Sequence, residues 1–298
     1  MTPSKLRPAI GEAISNRRRF SGQLPQSSLV SAQGDRRRTR RTTTQSSLDF
    51  TPTQAVSFLK DWDNTFFCAS SSFNAFPGIP IHASKDLQKL EVDRGIWAPT
   101  LRYHKKNFYL VTTLVDDDRP QSDASRWDNI IIKGSDPYNS ASWGIAKHFE
   151  FQGYDTEPFW DNNGKAYITG AHAWQVNPGI WQAEANLDTG KVGEFKLIWE
   201  GTGGMAPEGP HIYKKDGYYY LLAAEGGTGL EHMVTIARSR NIDGPFESNP
   251  ANPVLTNTNT TSYFQTIGHA DLFQDGSGNW YAVRKHLVDS ESATHWLI

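Results

Sequence analysis

Cysteine is almost absent. Cys68 is the single thiol in 298 residues, so no internal disulfide can form and the redox compartment is left open. No apolar run approaches the roughly 18 residues of a membrane helix, and no membrane partner is expected. Nothing before Phe50 supplies the apolar stretch of about 7–15 residues that a secretory leader requires, so secretion is left undecided. No His or Cys cluster has zinc spacing. Gly201-Thr202-Gly203-Gly204 and Gly226-Gly227-Thr228-Gly229 lack the Lys-Ser/Thr ending of a phosphate loop and read as turns. Large apolar side chains are scarce in residues 1–48, a stretch rich in Ser, Thr, Arg and Gln. Such a segment cannot bury enough surface to offset the entropy of ordering, and it is expected to be disordered. It holds ten Lys or Arg against Glu12 and Asp35, about +8, which leaves about −10 for the remainder of a chain of net charge −2. Blocks of like charge are most often solvated tail, and no nucleic-acid partner is expected.

What the chain does have is aromatics, at 12%, with 25 Gly and 16 Pro punctuating short β-branched or aromatic runs. Runs at residues 56–59, 65–69, 108–112, 129–132, 165–169, 218–222 and 233–237 read as strands. The landmarks Phe67, Tyr109, Tyr167, Tyr220 and Tyr281 recur about every 40–60 residues, the length of a four-stranded propeller blade with its loops. Five landmarks predict an all-β, five-bladed β-propeller over residues 49–298. Trp97, Asp155, Glu208 and His269 each stand twelve residues before the Tyr of their unit, which predicts that they converge on a central channel. The Trp-Asp pairs at Trp62, Trp127 and Trp160 fall at different places in their units and do not support a seven-bladed scaffold.

Two carboxylates on neighbouring inner strands have a chemical meaning. Inverting glycoside hydrolysis uses a carboxylic acid to protonate the leaving oxygen and a carboxylate about 6.5–9.5 Å away to activate water. Thirty-two acidic residues also make chance alignment easy, and an Asp before a turn is commonly just solvated.

The wider context is more specific. The stretches Ser70-Ser71-Ser72-Phe73-Asn74-Ala75-Phe76-Pro77-Gly78, Ser84-Lys85-Asp86-Leu87, Gly95-Ile96-Trp97-Ala98-Pro99, Asp155-Thr156-Glu157-Pro158-Phe159-Trp160-Asp161, Ala206-Pro207-Glu208-Gly209-Pro210-His211 and Gly268-His269-Ala270-Asp271 run in order along the chain. Together they resemble the glycoside hydrolase family 43 β-xylosidases and α-L-arabinofuranosidases, over about residues 50–285. The resemblance implies a five-bladed propeller and an inverting mechanism on xylose- or arabinose-containing oligosaccharides. It implies Glu208 as general acid and Asp155 as the carboxylate that orients it and keeps its pKa high. Phe73, Trp97 and Arg284 are implied as sugar-binding residues, with Trp174 and Phe264 as weaker stacking candidates. No cofactor is required; in the family the histidine at His269 can ligate a central calcium or its water, and a histidine bonded to channel water is the competing reading.

One family position is altered. The general base stands in a segment Phe-x-Pro-Asp-Pro-Ser, and here the match is Phe50-Thr51-Pro52-Thr53-Gln54-Ala55, which puts Thr53 at the base. A threonine hydroxyl cannot deprotonate water near neutral pH, and Asp49 lies roughly 13 Å upstream along an extended strand. The stretch from Leu87 to Arg94 is short for the family, Arg284 follows its strand early, and Ile298 falls where the last blade should still be closing, so the first and last blades are expected to be incomplete. The expectation is a glycosidase impaired at its base; the alternative is a non-catalytic carbohydrate-binding pseudoenzyme. Xylosidase or arabinofuranosidase specificity and oligomeric state are undetermined by the sequence.

Overall fold

The computed structural model describes residues 28–30, 54–70, 79–84, 97–116, 118–262 and 264–287. These fold as twenty β-strands in five antiparallel sheets, the blades of a five-bladed β-propeller. Blade one holds β1 (Ser28–Val30), β2 (Gln54–Leu59), β3 (Thr65–Ser70) and β4 (Ile79–Ser84) in the order β1-β4-β3-β2. Blade two is β5 (Trp97–His104), β6 (Asn107–Val115), β7 (Trp127–Gly134) and β8 (Lys147–Phe149). Blade three is β9 (Gly153–Trp160), β10 (Ala166–His172) and β11 (Ile180–Asn186), with β12 (Lys191–Val192) and β13 (Lys196–Trp199) both on β11. Blade four is β14 (Glu208–Lys215), β15 (Tyr218–Glu225) and β16 (Met233–Ser239), with β17 (Glu247–Ser248) and β18 (Leu255–Thr256) both on β16. Blade five is β19 (Thr266–Gln274) paired with β20 (Trp280–Leu287), two strands among the described residues.

Two details refine the reading from sequence. The first blade reaches four strands because its outermost one, β1, comes from upstream: Ser28, Leu29 and Val30 pair with Ile81, Pro80 and Ile79. These three residues belong to the segment expected to be disordered, the rest of which lies outside the described residues. Innermost in the blades are β2, β5, β9, β14 and β19, each touching the next, and β19 touches β2, so the ring is closed.

Apolar side chains fill the five spaces between blades, one cluster to each. Phe67, Ile81, Leu101 and Phe108 lie between blades one and two. Tyr109, Ile131, Phe149 and Ile168 lie between two and three. Trp199, Ile212, Tyr219 and Leu221 lie between three and four, Leu222, Val234 and Ala270 between four and five. Val56, Cys68, Phe273 and Val283 join five back to one. Full burial of each large side chain is worth about 1.5–3 kcal/mol, so the ring is held by area at its seams. Cys68 is part of one seam, and burial, with the Asp271 charge behind it, pushes its thiol well above the ordinary value.

Candidate active site

At the end of the channel where the inner strands begin, four strands carry the same irregularity. Ala98, Asp155, Gly209 and His269 have left-handed backbones, with φ of 38°, 53°, 55° and 45°. Each lies where the register with the second strand of its blade shifts. A bulge adds one residue to a strand and re-aims its side chains, and a left-handed non-glycine residue costs on the order of 1–3 kcal/mol. The bulges bring Asp155 and His269 together, with His269 Nε2 3.9 Å from Asp155 Oδ2.

The twelve-residue spacing is therefore one residue out in two blades. Trp97 and Glu208 precede their bulges; Asp155 and His269 occupy theirs. The cause is the hairpin that follows. Blades two and four turn on two residues with positive φ, Lys105-Lys106 and Asp216-Gly217, whereas blades three and five turn on five, 161–165 and 275–279. A two-residue turn leaves partners an odd number apart and a five-residue turn an even number, so one ruler cannot fit both.

Glu208 opens β14, half-buried and opposite Ala224. The next peptide is fixed to the neighbouring blade, because the Gly209 N–H donates to Asp155 Oδ2 at 3.1 Å. Tyr154 is buried beside both acids: burial first, then the Glu208 and Asp155 charges, push its hydroxyl well above the ordinary tyrosine value. The rings of Trp97 and Trp127 pack on Tyr154 at 6.4 Å and 5.4 Å. Asp155, Glu208, His269 and Trp97 thus share one end of the channel. Arg284 faces Ala270 across the last blade, its guanidinium 5.7 Å from the centre of the Phe264 ring. Burial lowers its pKa to about 10, and Nη1 has no hydrogen-bond partner among the described residues. Trp174 is exposed in the β10–β11 connection. Thr53 and Phe73 lie outside the described residues.

Gly209 is required twice over. Its φ is left-handed, and a Cβ there would stand 2.5 Å from His269 Nε2. Gly209→Ala is expected to lose about 1–2 kcal/mol from the backbone alone, with more from displacing the imidazole, read as a lower urea midpoint.

Deeper in the channel lies a set of groups that the sequence reading passed over. Arg102 of β5 donates from Nη1 and Nη2 to Asp271 Oδ2 and Oδ1 at 2.8 and 3.0 Å, and from Nη2 to Glu157 Oε2 at 2.9 Å. Glu157 Oε1 accepts the Ile212 N–H at 2.7 Å, and its Oε2 meets His211 Nδ1. Tyr213 donates its hydroxyl to Asp271 Oδ1 at 2.6 Å and accepts the Leu272 N–H, while the Val56 N–H reaches Asp271 Oδ2 at 3.2 Å. Every inner strand contributes. Burial alone would raise the Asp271 carboxyl, but the Arg102 charge, then His211 and hydrogen bonds from Arg102 and Tyr213, hold it below the usual value. Burial acts to lower the Arg102 guanidinium, and Asp271 and Glu157 more than reverse that. The signal that could have found these residues is the period of two, since Glu157 follows Asp155, and Asp271 follows His269, on the same strand face.

A resident calcium does not fit this level of the channel. Arg102 already holds the Glu157 and Asp271 carboxylates, and among the described residues no three His, Cys, Asp or Glu side chains are grouped to hold a metal.

Comparison with known proteins follows the same lines. The family model described as glycosyl hydrolases family 43 matches residues 53–293. A xylosidase/arabinosidase of Butyrivibrio fibrisolvens is 37% identical over 252 residues, covering 73% of this chain and 46% of that protein. A non-reducing end α-L-arabinofuranosidase of Bacteroides ovatus is 35% identical over 249 residues, covering 73% and 43%. The crystal structure of a xylan β-1,4-xylosidase from Bacillus halodurans superposes with a TM-score of 0.72 at 32% identity, covering 81% of this chain and 50% of that one. The chain spans about half the length of the curated relatives it matches.

Proposed function

The chain belongs to the glycosyl hydrolases of family 43, and from that membership we propose that it acts on xylose- or arabinose-containing oligosaccharides by the inverting route, with its general base lost. The observation that carries the reading is the bond from the Gly209 N–H to Asp155, which ties one carboxylate to the peptide following the other. In this reading Glu208 donates a proton to the departing glycosidic oxygen as the bond to the anomeric carbon breaks. Asp155 orients that acid, and its negative charge opposes ionisation of Glu208, keeping the proton available at working pH. Water enters from the opposite face and must give up a proton there. The family motif places Thr53 at that duty, and a hydroxyl has no basicity to perform it. Trp97 would stack on the sugar ring, and Arg284 Nη1, which has no hydrogen-bond partner among the described residues, would donate to a sugar hydroxyl.

The test is hydrolysis of aryl β-D-xyloside and aryl α-L-arabinofuranoside, with Glu208→Ala as control. The expected result is slow turnover that the substitution abolishes. Turnover that survives Glu208→Ala would overturn the assignment of the acid. The non-catalytic reading is favoured by Thr53 alone. Calorimetric binding of xylose or arabinose with no hydrolysis above the Glu208→Ala control would support it, and absence of any binding by folded protein would count against both.

A further inference from the structure

The two Gly-rich stretches that carry no phosphate-loop chemistry meet at one carboxylate. Glu225 ends β15, is wholly buried, and leads directly into Gly226-Gly227-Thr228-Gly229. Its Oε2 accepts the Thr202 N–H and the Thr202 hydroxyl, each at 3.0 Å, and its Oε1 accepts the Thr235 hydroxyl at 2.7 Å. Thr202 belongs to the connection from β13 to β14, which ends at Pro207, immediately before Glu208. That connection is pressed onto the carboxylate. Gly201 has φ of 89°, and a Cβ there would lie 3.0 Å from Glu225 Oε2 and 3.3 Å from Pro207 Cγ. Further along, the Met205 sulfur would be 2.7 Å from a Cβ at Gly227, so the connection carrying the first glycine stretch touches the second.

Burying a carboxylate is costly, and hydrogen bonds from neutral donors offset only part of that cost. A loop needing only to be covered would be held better by an apolar side chain. A carboxylate that gathers the amide and hydroxyl of one loop residue fixes that residue in place, and the loop delivers Glu208 six residues later. We propose that Glu225 is a positioning residue for the acid: it clamps the segment 201–207 so that Glu208, anchored on its other side opposite Ala224, holds a fixed place at the channel mouth. The inference rests on the reading of Glu208 as general acid.

Acid catalysis has a signature that a merely structural role lacks, because only poor leaving groups need the proton. Turnover would be measured on an aryl xyloside with a poor phenol and on 2,4-dinitrophenyl xyloside, in the chain as it stands and in one carrying Thr53→Asp. A misplacement of about 1 Å costs on the order of 10²-fold, so Glu225→Ala should lower kcat on the poor leaving group by about 10- to 100-fold with KM unchanged, and barely alter the activated one. Glu225→Gln, which keeps one acceptor oxygen, should fall between. Equal losses on both substrates would overturn the proposal. Glu208→Gln lacking this leaving-group dependence would instead condemn the assignment of the acid. Amide hydrogen exchange gives a readout without turnover: Glu225→Ala should speed exchange over residues 201–209 and leave blades one and two unchanged. Unchanged exchange over 201–209 would overturn the clamp even where no chain is active.

Discussion

Thr53→Asp is expected to raise hydrolysis of aryl β-D-xyloside by about 10²- to 10⁴-fold, the usual worth of a positioned general base. The argument is one of proton balance. Inversion requires water to attack the anomeric carbon and shed a proton on the face opposite the leaving group, and the acid on the other face cannot collect it. In the proposed reading, threonine at the family's base position leaves the proton to bulk water, and attack waits on a neutral nucleophile. Aspartate restores the acceptor and should also change the pH profile. The present chain should show only the falling limb as Glu208 loses its proton; the restored chain should gain a rising limb from the new carboxylate, making the profile bell-shaped. Folded Thr53→Asp protein with unchanged kcat/KM and no new limb would remove Thr53 as the cause of impairment.

Arg102→Met is expected to destabilise the fold by about 3–5 kcal/mol, because it strands the buried Asp271 and Glu157 carboxylates without their cation. The pH dependence carries the sign. In the present chain Asp271 titrates below its ordinary value of 3.8, so its contribution is complete above that value and is lost as pH falls through the depressed folded pKa. Without Arg102 the burial of Asp271 is left to act against weaker opposition, and its folded pKa rises. The variant should then be most stable at low pH and lose stability as pH climbs through the raised value. Urea melts of both proteins from pH 4 to pH 8 would show it. A parallel pair of curves, or a loss too small to resolve, would mean that the guanidinium is not what balances the axis. Adding Asp271→Leu to Arg102→Met should recover part of the loss, since an apolar pair need not be neutralised.

The blades were legible in the sequence mainly through their second and third strands. Residues 108–112, 129–132, 218–222 and 233–237 fall inside β6, β7, β15 and β16, which are packed on both faces and read as apolar runs; 65–69 falls inside β3, and 56–59 inside the inner strand β2. The inner strands β5, β9, β14 and β19 left no such trace. One of their faces lines the channel and carries Arg102, Glu157, His211 and Asp271, while Pro99, Pro158 and Pro210 interrupt them. Their existence had to be inferred from the landmarks that follow, and counting back from a tyrosine across hairpins of unequal length misplaced Trp97 and Glu208 by one residue relative to the bulges. Glu225 was hidden for another reason. A buried carboxylate held by threonines looks in sequence like any strand-end acid, and only the fold brings Thr202 to it.

Arg102 also sets a timetable for the nascent chain. Asp271, its partner in two hydrogen bonds, is 169 residues downstream. At about 5–20 residues per second, a ribosome takes roughly 8–34 seconds to bridge that gap. During the later part of that interval the blade-two cation has only Glu157, 55 residues downstream, to face, and the seam between the last blade and the first, where Val56 and Cys68 await Phe273 and Val283, is open to water. Blades released one at a time therefore cannot settle independently, and an arrest anywhere before residue 271 leaves an arc of sheets with exposed apolar edges. Arcs with such edges are prone to associate, and commitment to the native ring is deferred until the final blade has emerged.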